Sequence, residues 1–260
     1  LYEGRQHKRN GRESLDCAYA LKELENMGIH NFITFDAHDP RVQNSTPLSG
    51  FDNFTSPYQF IKSLLHSEED LLVDKDHLLV ISPDEGAVDR AIYFATVLGV
   101  DVGMFYKRRD YSTIVNGKNP IVAHEFLADN IDGKDIVIID DMISSGGSML
   151  DTARQLKQMN ARRVFICCTF GLFTDGLAAF DRAYEQGYFD KVVTTDLTYL
   201  PPEIYDKPYF VEVDMSKFVA SMIDFINHDV SLSNVLATTE KIHGILEAYN
   251  NRANVEVFSN

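Results

Sequence analysis

Short apolar runs alternate along this chain with segments whose apolar residues recur every three or four positions. Residues Glu13–Met27 place Leu15, Ala18, Tyr19, Leu21 and Leu24 at helical spacing, and Gly28 supplies a stop. The same reading predicts helices over Pro57–Leu65, Ala87–Leu98, Met149–Met159 and Gly176–Gln186, and a mostly helical tail from Ser216 to Tyr249. Strands are predicted at Asn31–Phe35, His77–Ile81, Val100–Tyr106, Asp135–Asp140, Arg163–Thr169 and Lys191–Thr195. Residues Arg108–Pro120 are polar, contain an Asn-Gly and an Asn-Pro step, and read as a mobile loop. Ser45–Ser56 is the best candidate for a crossing between domains.

Strands separated by helices of this length imply βαβ units and a mainly parallel sheet, an α/β fold. In such sheets ligands gather beyond the carboxyl ends of the strands. Asp36, Asp84, Lys107 and Asp140 all fall at predicted strand ends, so the topology directs attention to them.

Composition narrows the class of partner. Hydrophobic residues make up 45% of the 260, enough for a buried core. The net charge of −15 repels nucleic acid and anionic lipid, so neither is an expected partner. No run of about eighteen apolar residues suggests a membrane span, and no charged-then-apolar leader is visible; a cytoplasmic setting is expected. Cys17, Cys167 and Cys168 show no zinc spacing and read as buried thiols. Anionic ligands would need local basic pockets, and two clusters offer them: Arg5, Lys8, Arg9 and Arg12, and Lys107-Arg108-Arg109. Basic clusters of this kind are more often solvated surface.

The segment with most chemical content is Asp140-Asp141-Met142-Ile143-Ser144-Ser145-Gly146-Gly147-Ser148. Four apolar residues bury a strand, two acids stand at its tip, and a small glycine-containing loop opens a helix. N–H groups from Ser144 to Ser148 can seat a phosphate with help from the helix dipole. Gly146 and Gly147 permit close backbone approach and positive φ. Asp140 and Asp141 can accept from a vicinal diol or hold a divalent ion. An ordinary strand–turn–helix junction with a capping serine has much the same outline, but not the acid pair directly before the turn.

This loop resembles the phosphoribosyl pyrophosphate-binding motif shared by type I phosphoribosyltransferases and by the phosphoribosyl pyrophosphate synthetases, or ribose-phosphate diphosphokinases. Four more segments resemble the synthetases, in that family's order. Arg5-Gln6-His7-Lys8-Arg9 is similar to its ATP loop. Asp36-Ala37-His38-Asp39 is similar to its metal-and-ATP strand end. Ser82-Pro83-Asp84-Glu85-Gly86, with Arg90 following, is similar to its second metal loop. Tyr106-Lys107-Arg108-Arg109 is similar to the start of its catalytic loop.

The resemblance implies two phosphoribosyltransferase-like domains with mainly parallel sheets flanked by helices, the first incomplete. Residues 1–56 would be the back half of the first domain, 57–215 the second, and 216–260 a helical tail lying near the first. It also implies Mg2+, ATP and ribose 5-phosphate as cofactor and substrates, and a homo-oligomer, dimer or hexamer. Lys107 and Arg109 would be catalytic; Arg5, Gln6, His7, Asp36 and His38 would bind ATP; His38 and Asp84 would serve the metal. Asp140, Asp141, Ser144, Ser145, Gly146, Gly147 and Ser148 would bind ribose 5-phosphate.

On residue type alone, His38 is an unusual Mg2+ ligand and could instead bond a phosphate oxygen. Asp36 and Asp39 could equally cap a turn. The chain also departs from the family pattern. Ser144-Ser145 stands where an acid and a threonine are usual, Ala87 where a second glycine is common, and Arg108 where an acid is common. Two alternatives stay open: a phosphoribosyltransferase that consumes the pyrophosphate donor, and a non-catalytic regulatory subunit.

Overall fold

The apolar run Asn31–Phe35 forms a strand, β1, after the helix α1 (Asp16–Asn26). Its partner is a segment that reads in the sequence as an inter-domain crossing. Gly50–Phe54, β2, lies parallel to β1, with Asn31 beside Gly50 and Phe35 beside Phe54. A 3₁₀ turn, Pro40–Ser45, bridges them. In the computed structural model, which describes residues 14–109, 121–127, 130–233 and 238–257, these elements make the first of two units, Leu1–Ser56; the second is Pro57–Asn260. The first unit buries Phe32, Val42 and Phe54, while Ile33, Leu48 and Met27 are exposed.

The second unit is a seven-stranded sheet with helices packed on it. Its elements in chain order are α2 (Pro57–Ser67), β3 (Leu78–Ser82), α3 (Val88–Leu98), β4 (Asp101–Arg109), β5 (Ile121–Leu127), β6 (Asp135–Ile143), α4 (Gly147–Gln158), β7 (Arg163–Gly171), α5 (Ala178–Glu185), β8 (Lys191–Thr195), β9 (Phe210–Val213), α6 (Ser216–Asn227) and α7 (Thr238–Val257). The strand order is β5-β4-β3-β6-β7-β8-β9. Among the described residues, only the β4–β5 pairing of this sheet is antiparallel. β5 and β9 are strands that the sequence pattern does not reveal.

Parallel strands covered on both faces read as nearly continuous apolar runs, and β3, β6 and β7 are of that kind. Leu79, Ile81, Ile136, Ile138, Val164 and Ile166 share one cluster with Met149, Ala153 and Leu156 of α4 and Phe180 of α5. The alternate positions Leu78, Val80 and Val137 are just as buried, and α2 and α3 pack on the sheet. Cys167 and Cys168 are both buried in β7; burial pushes the Cys167 thiol up to about 12 and holds the Cys168 thiol well above the ordinary thiol range. Thiols held protonated in this way are inert; the buried-thiol reading holds for these two, whereas Cys17 on α1 is only partly buried.

At the amino end of the sheet one arginine ties several elements together. Arg163 Nη2 and Nε donate to both oxygens of the buried Asp135, at 2.7 and 3.1 Å. Its Nη1 donates to Glu68 at 2.9 Å and Asp70 at 2.7 Å. The tail joins the same place. The Tyr249 hydroxyl of α7 donates to the Glu68 carbonyl at 2.7 Å and accepts from Leu71 N–H at 3.0 Å. The tail helices thus fall in the second unit, where α7 packs on α2 and α3. Removing one partner of a buried ion pair strands the other. Arg163→Met should therefore lower the unfolding free energy by about 3–5 kcal/mol, measured by urea titration; a loss below about 1 kcal/mol would show that Asp135 does not depend on it.

Candidate functional site

β3 is followed through α3 by β4 on one side, and the chain later returns to place β6 on the other side. The order of connection reverses between β3 and β6, and in such sheets the crevice at that switch point is where ligands bind. β3 ends at Ser82, whereas β6 stays paired with β7 to Ile143 beside Gly171. Asp140 and Asp141 therefore lie within β6, which runs on to Ile143 past the predicted strand end at Asp140. The continued ladder with β7 holds both acids in extended backbone where β3 has turned away.

Loop 83–86 follows β3 and leads into a short turn that touches β4 and β6. Asp84 accepts from Gly86 N–H at 3.0 Å and caps a short 3₁₀ turn, Glu85–Ala87. Ser82 Oγ donates to the Asp84 carbonyl at 2.5 Å. Arg90, on the first turn of α3, brings Nη1 to 3.7 Å from Asp140 Oδ1 and 3.8 Å from Asp141 Oδ1. Asp141 N–H donates to Asp140 Oδ1 at 2.9 Å. Even so, the Asp140 carboxyl is held well above the usual carboxylate range. Burial is the largest cause, then the side-chain hydrogen bond and the charge of Asp141, then the charge of Asp84; Arg90 pulls the other way.

The turn after β6 leads straight into α4. Gly146 sits before the helix with φ +82°, and a Cβ there would run into the ring of Phe180. Of the two glycines, only Gly146 uses positive φ; Gly147 is already helical. A glycine cap has no side chain to satisfy the first N–H groups of the helix, which leaves that end suited to an anion. Ser144, Ser145, Gly147 and Ser148 are exposed around it. The loop after β7 supports the turn: Thr174 N–H donates to the Ser144 carbonyl at 3.0 Å, and its hydroxyl is 3.5 Å from Ser144 Oγ.

The other candidates divide as follows. Lys107 and Arg109 are backbone members of β4, opposite His124 and Ile121 of β5. Arg108 and Arg109, read in the sequence as the start of a mobile loop, thus belong to a paired strand; positions 110–120 lie outside the described residues, as do Arg5, Gln6 and His7. Met104 is beside Ser82, so β4 outreaches β3 by roughly 16 Å toward the carboxyl side. Asp36 and His38 follow β1 in the first unit. Asp36 is buried with φ +47°, and its N–H donates to Phe54 O at 2.7 Å. His38 is exposed, and Asp39 caps the 3₁₀ turn while paired with Arg41.

The second unit thus gathers Asp84, Arg90, Asp140, Asp141 and the Ser144–Ser148 turn. Arg90 and Thr174 were not among the sequence-derived site residues. Arg90's position after the Asp84 loop was a signal for it; Thr174 had none. Among the described residues no group of three or more His, Cys, Asp and Glu is arranged to hold a metal, and no helix is long and apolar enough to cross a membrane.

A phosphoribosyl transferase domain model matches residues 61–196. A ribose-phosphate pyrophosphokinase of Ralstonia nicotianae is 32% identical over 189 residues, 72% of this chain and 54% of that protein. One from Pasteurella multocida is 30% identical over 228 residues, covering 86% of this chain and 67% of its own. The chain spans about half to two thirds of the length of such curated relatives. The crystal structure of phosphoribosylpyrophosphate synthetase from Mycobacterium smegmatis superposes with a TM-score of 0.71 at 21% identity, over 86% of this chain and 68% of that one. The matched domain covers more than half of the sequence, and the chain belongs to the phosphoribosyl transferase domain family, alongside proteins named ribose-phosphate pyrophosphokinase.

Proposed function

We propose that the protein, as part of its whole chain, transfers the diphosphoryl group of ATP to the C1 hydroxyl of ribose 5-phosphate, releasing AMP. The observation that carries this reading is the acid pair Asp140–Asp141 set directly before a glycine-capped helix end at the sheet's switch point. The named relatives support it over the alternative of a base-consuming transferase.

In this reading the 5-phosphate sits on Ser144, Ser145, Gly146, Gly147 and Ser148, held by backbone N–H groups and the helix dipole. Asp140 and Asp141 take the ribose hydroxyls. The C1 oxygen attacks the β-phosphorus, the bond from that phosphorus to the α-phosphate oxygen breaks, and AMP leaves. Lys107 and Arg109 stabilise the charge that develops on the transferred group. Arg5, Gln6, His7, Asp36 and His38 hold ATP.

The donor set suits Mg2+, which keeps most of its waters and takes few protein oxygens besides substrate phosphates. Asp84 would supply such an oxygen, and the ion when bound would neutralise phosphate charge. The absence of a three-ligand cluster among the described residues is compatible with such a site.

Two measurements test the proposal. The full-length protein given ATP, ribose 5-phosphate and Mg2+ should form AMP and phosphoribosyl pyrophosphate in equal amounts; a base-consuming transferase would form no AMP. Lys107→Ala should then slow AMP formation on the order of 100-fold, and a variant within a few-fold of the parent would sink the role given to Lys107.

A second prediction follows from the raised Asp140 carboxyl. With its pKa raised, the folded group keeps a proton to higher pH than the unfolded chain does. The wild type therefore loses stability as pH rises above the unfolded value, until the folded group itself ionises. Asp140→Asn removes that loss. It should raise the melting temperature by about 3 °C or more at pH 8, roughly 1 kcal/mol, with a smaller gain at pH 5.5, while activity falls. An equal or larger gain at pH 5.5 would contradict the sign.

A further inference from the structure

The turn that follows β6 rests on an aromatic side chain that no step of the proposed reaction uses. Among the described residues four besides glycine have positive φ: Asp36, Asn160, Phe173 and Asp229. Aspartate and asparagine tolerate the left-handed region, whereas a bulky apolar residue rarely enters it. Phe173 does so at φ +46°, with its ring buried. The strained backbone is held there by what the ring packs against.

That ring stands between two glycines. It meets Phe180 edge-on, with centroids 5.2 Å apart and planes at 79°. Phe180 in turn occupies the place where Gly146 would carry a Cβ. At the end of β7, a Cβ on Gly171 would lie 2.6 Å from Phe173 Cε2. The strand end, the ring pair and the helix start therefore fit together only with glycine at both places.

The backbone around Phe173 reaches the other end of the turn. Ile143 O accepts from Leu172 N–H at 2.9 Å and from Phe173 N–H at 3.4 Å, and Ser144 O accepts from Thr174 N–H. Gly176 N–H donates to Phe173 O at 2.8 Å and closes the loop. Phe173 thus bears on the turn twice, through this loop on Ile143 and Ser144 and through Phe180 on Gly146. The acids are held separately, by the ladder that sets Asp140 beside Cys168.

We infer that Phe173 is a positioning residue for the 5-phosphate: it does not touch the ligand but fixes the direction of the N–H groups in the Ser144–Ser148 turn. The inference rests on the role given to that turn in the proposed reaction. The 5-phosphate is remote from the reacting C1 oxygen and is bound alike before and during transfer, so loosening its seat raises KM and spares kcat. In the full-length protein Phe173→Leu keeps apolar bulk and loses the edge contact. It should raise the KM for ribose 5-phosphate about tenfold or more, with kcat and the KM for ATP within about threefold of the parent. Phe173→Gly should raise that KM at least as far, although it relieves the backbone; if this variant does not fold, the leucine variant decides. Phe165→Leu removes another buried ring of the same strand, and should lower the melting temperature with both KM values unchanged. If the parent forms AMP and Phe173→Leu keeps its KM for ribose 5-phosphate within about twofold, the inference alone falls. It falls as well if Phe165→Leu raises that KM equally, or if Phe173→Leu weakens both substrates and kcat together. A parent that forms no AMP would overturn the proposed reaction and this inference with it.

Discussion

Two carboxylates on neighbouring residues of one strand, mostly out of water, repel each other, and the rest of the site answers that repulsion. Asp140 and Asp141 stay in place because β6 is paired with β7 past the point where β3 ends. Arg90 approaches both acids from α3, at 3.7 and 3.8 Å, and the Asp140 carboxyl still stays above the usual carboxylate range. Asp84 adds a third negative group from the neighbouring loop, so the crevice favours whatever brings protons, hydroxyls or positive charge. The glycine-capped start of α4 makes the adjoining patch favourable to the opposite sign. A sugar phosphate carries hydroxyls and an anion a few ångströms apart, and so meets both halves.

Legibility in the sequence followed burial. β3, β6 and β7 are covered on both faces, and their unbroken apolar runs announce them. The strands that escaped notice are those at the edges of their sheets. Gly50–Phe54 contains Asp52 and Asn53 and becomes β2 only by laddering onto β1. Ile121–Leu127 becomes β5 by antiparallel pairing at the opposite edge of the large sheet from β9. Phe210–Val213 is four residues long and borders β8 alone. No local pattern encodes such borrowed order.

The candidate site divides along the same line. The acid pair and the glycine turn are contiguous, so their chemistry can be read off the chain. Arg90 acts through the docking of α3, and Thr174 through a loop 30 residues beyond Ser144. Gly146 is a mixed case. A glycine before a helix suggests an open turn, but the reason alanine is excluded lies in Phe180, whose ring occupies the space a methyl would need. That ring makes edge contacts with Phe173, at 5.2 Å between centroids, and Phe189, at 6.2 Å, so the floor of the turn is part of the aromatic core.

The paired thiols of β7 have a consequence of another kind. Cys167 and Cys168 sit in the strand that runs beside the acid-bearing one, sealed from water and held protonated. A thiol-labelling reagent can reach them only when that part of the sheet opens, whereas Cys17, on the half-exposed α1, is open to faster attack. The slow phase of labelling is therefore a chemical clock for separation of the central strands. Its rate measures the cohesion of the region that holds the acids in position, with no probe added to the molecule.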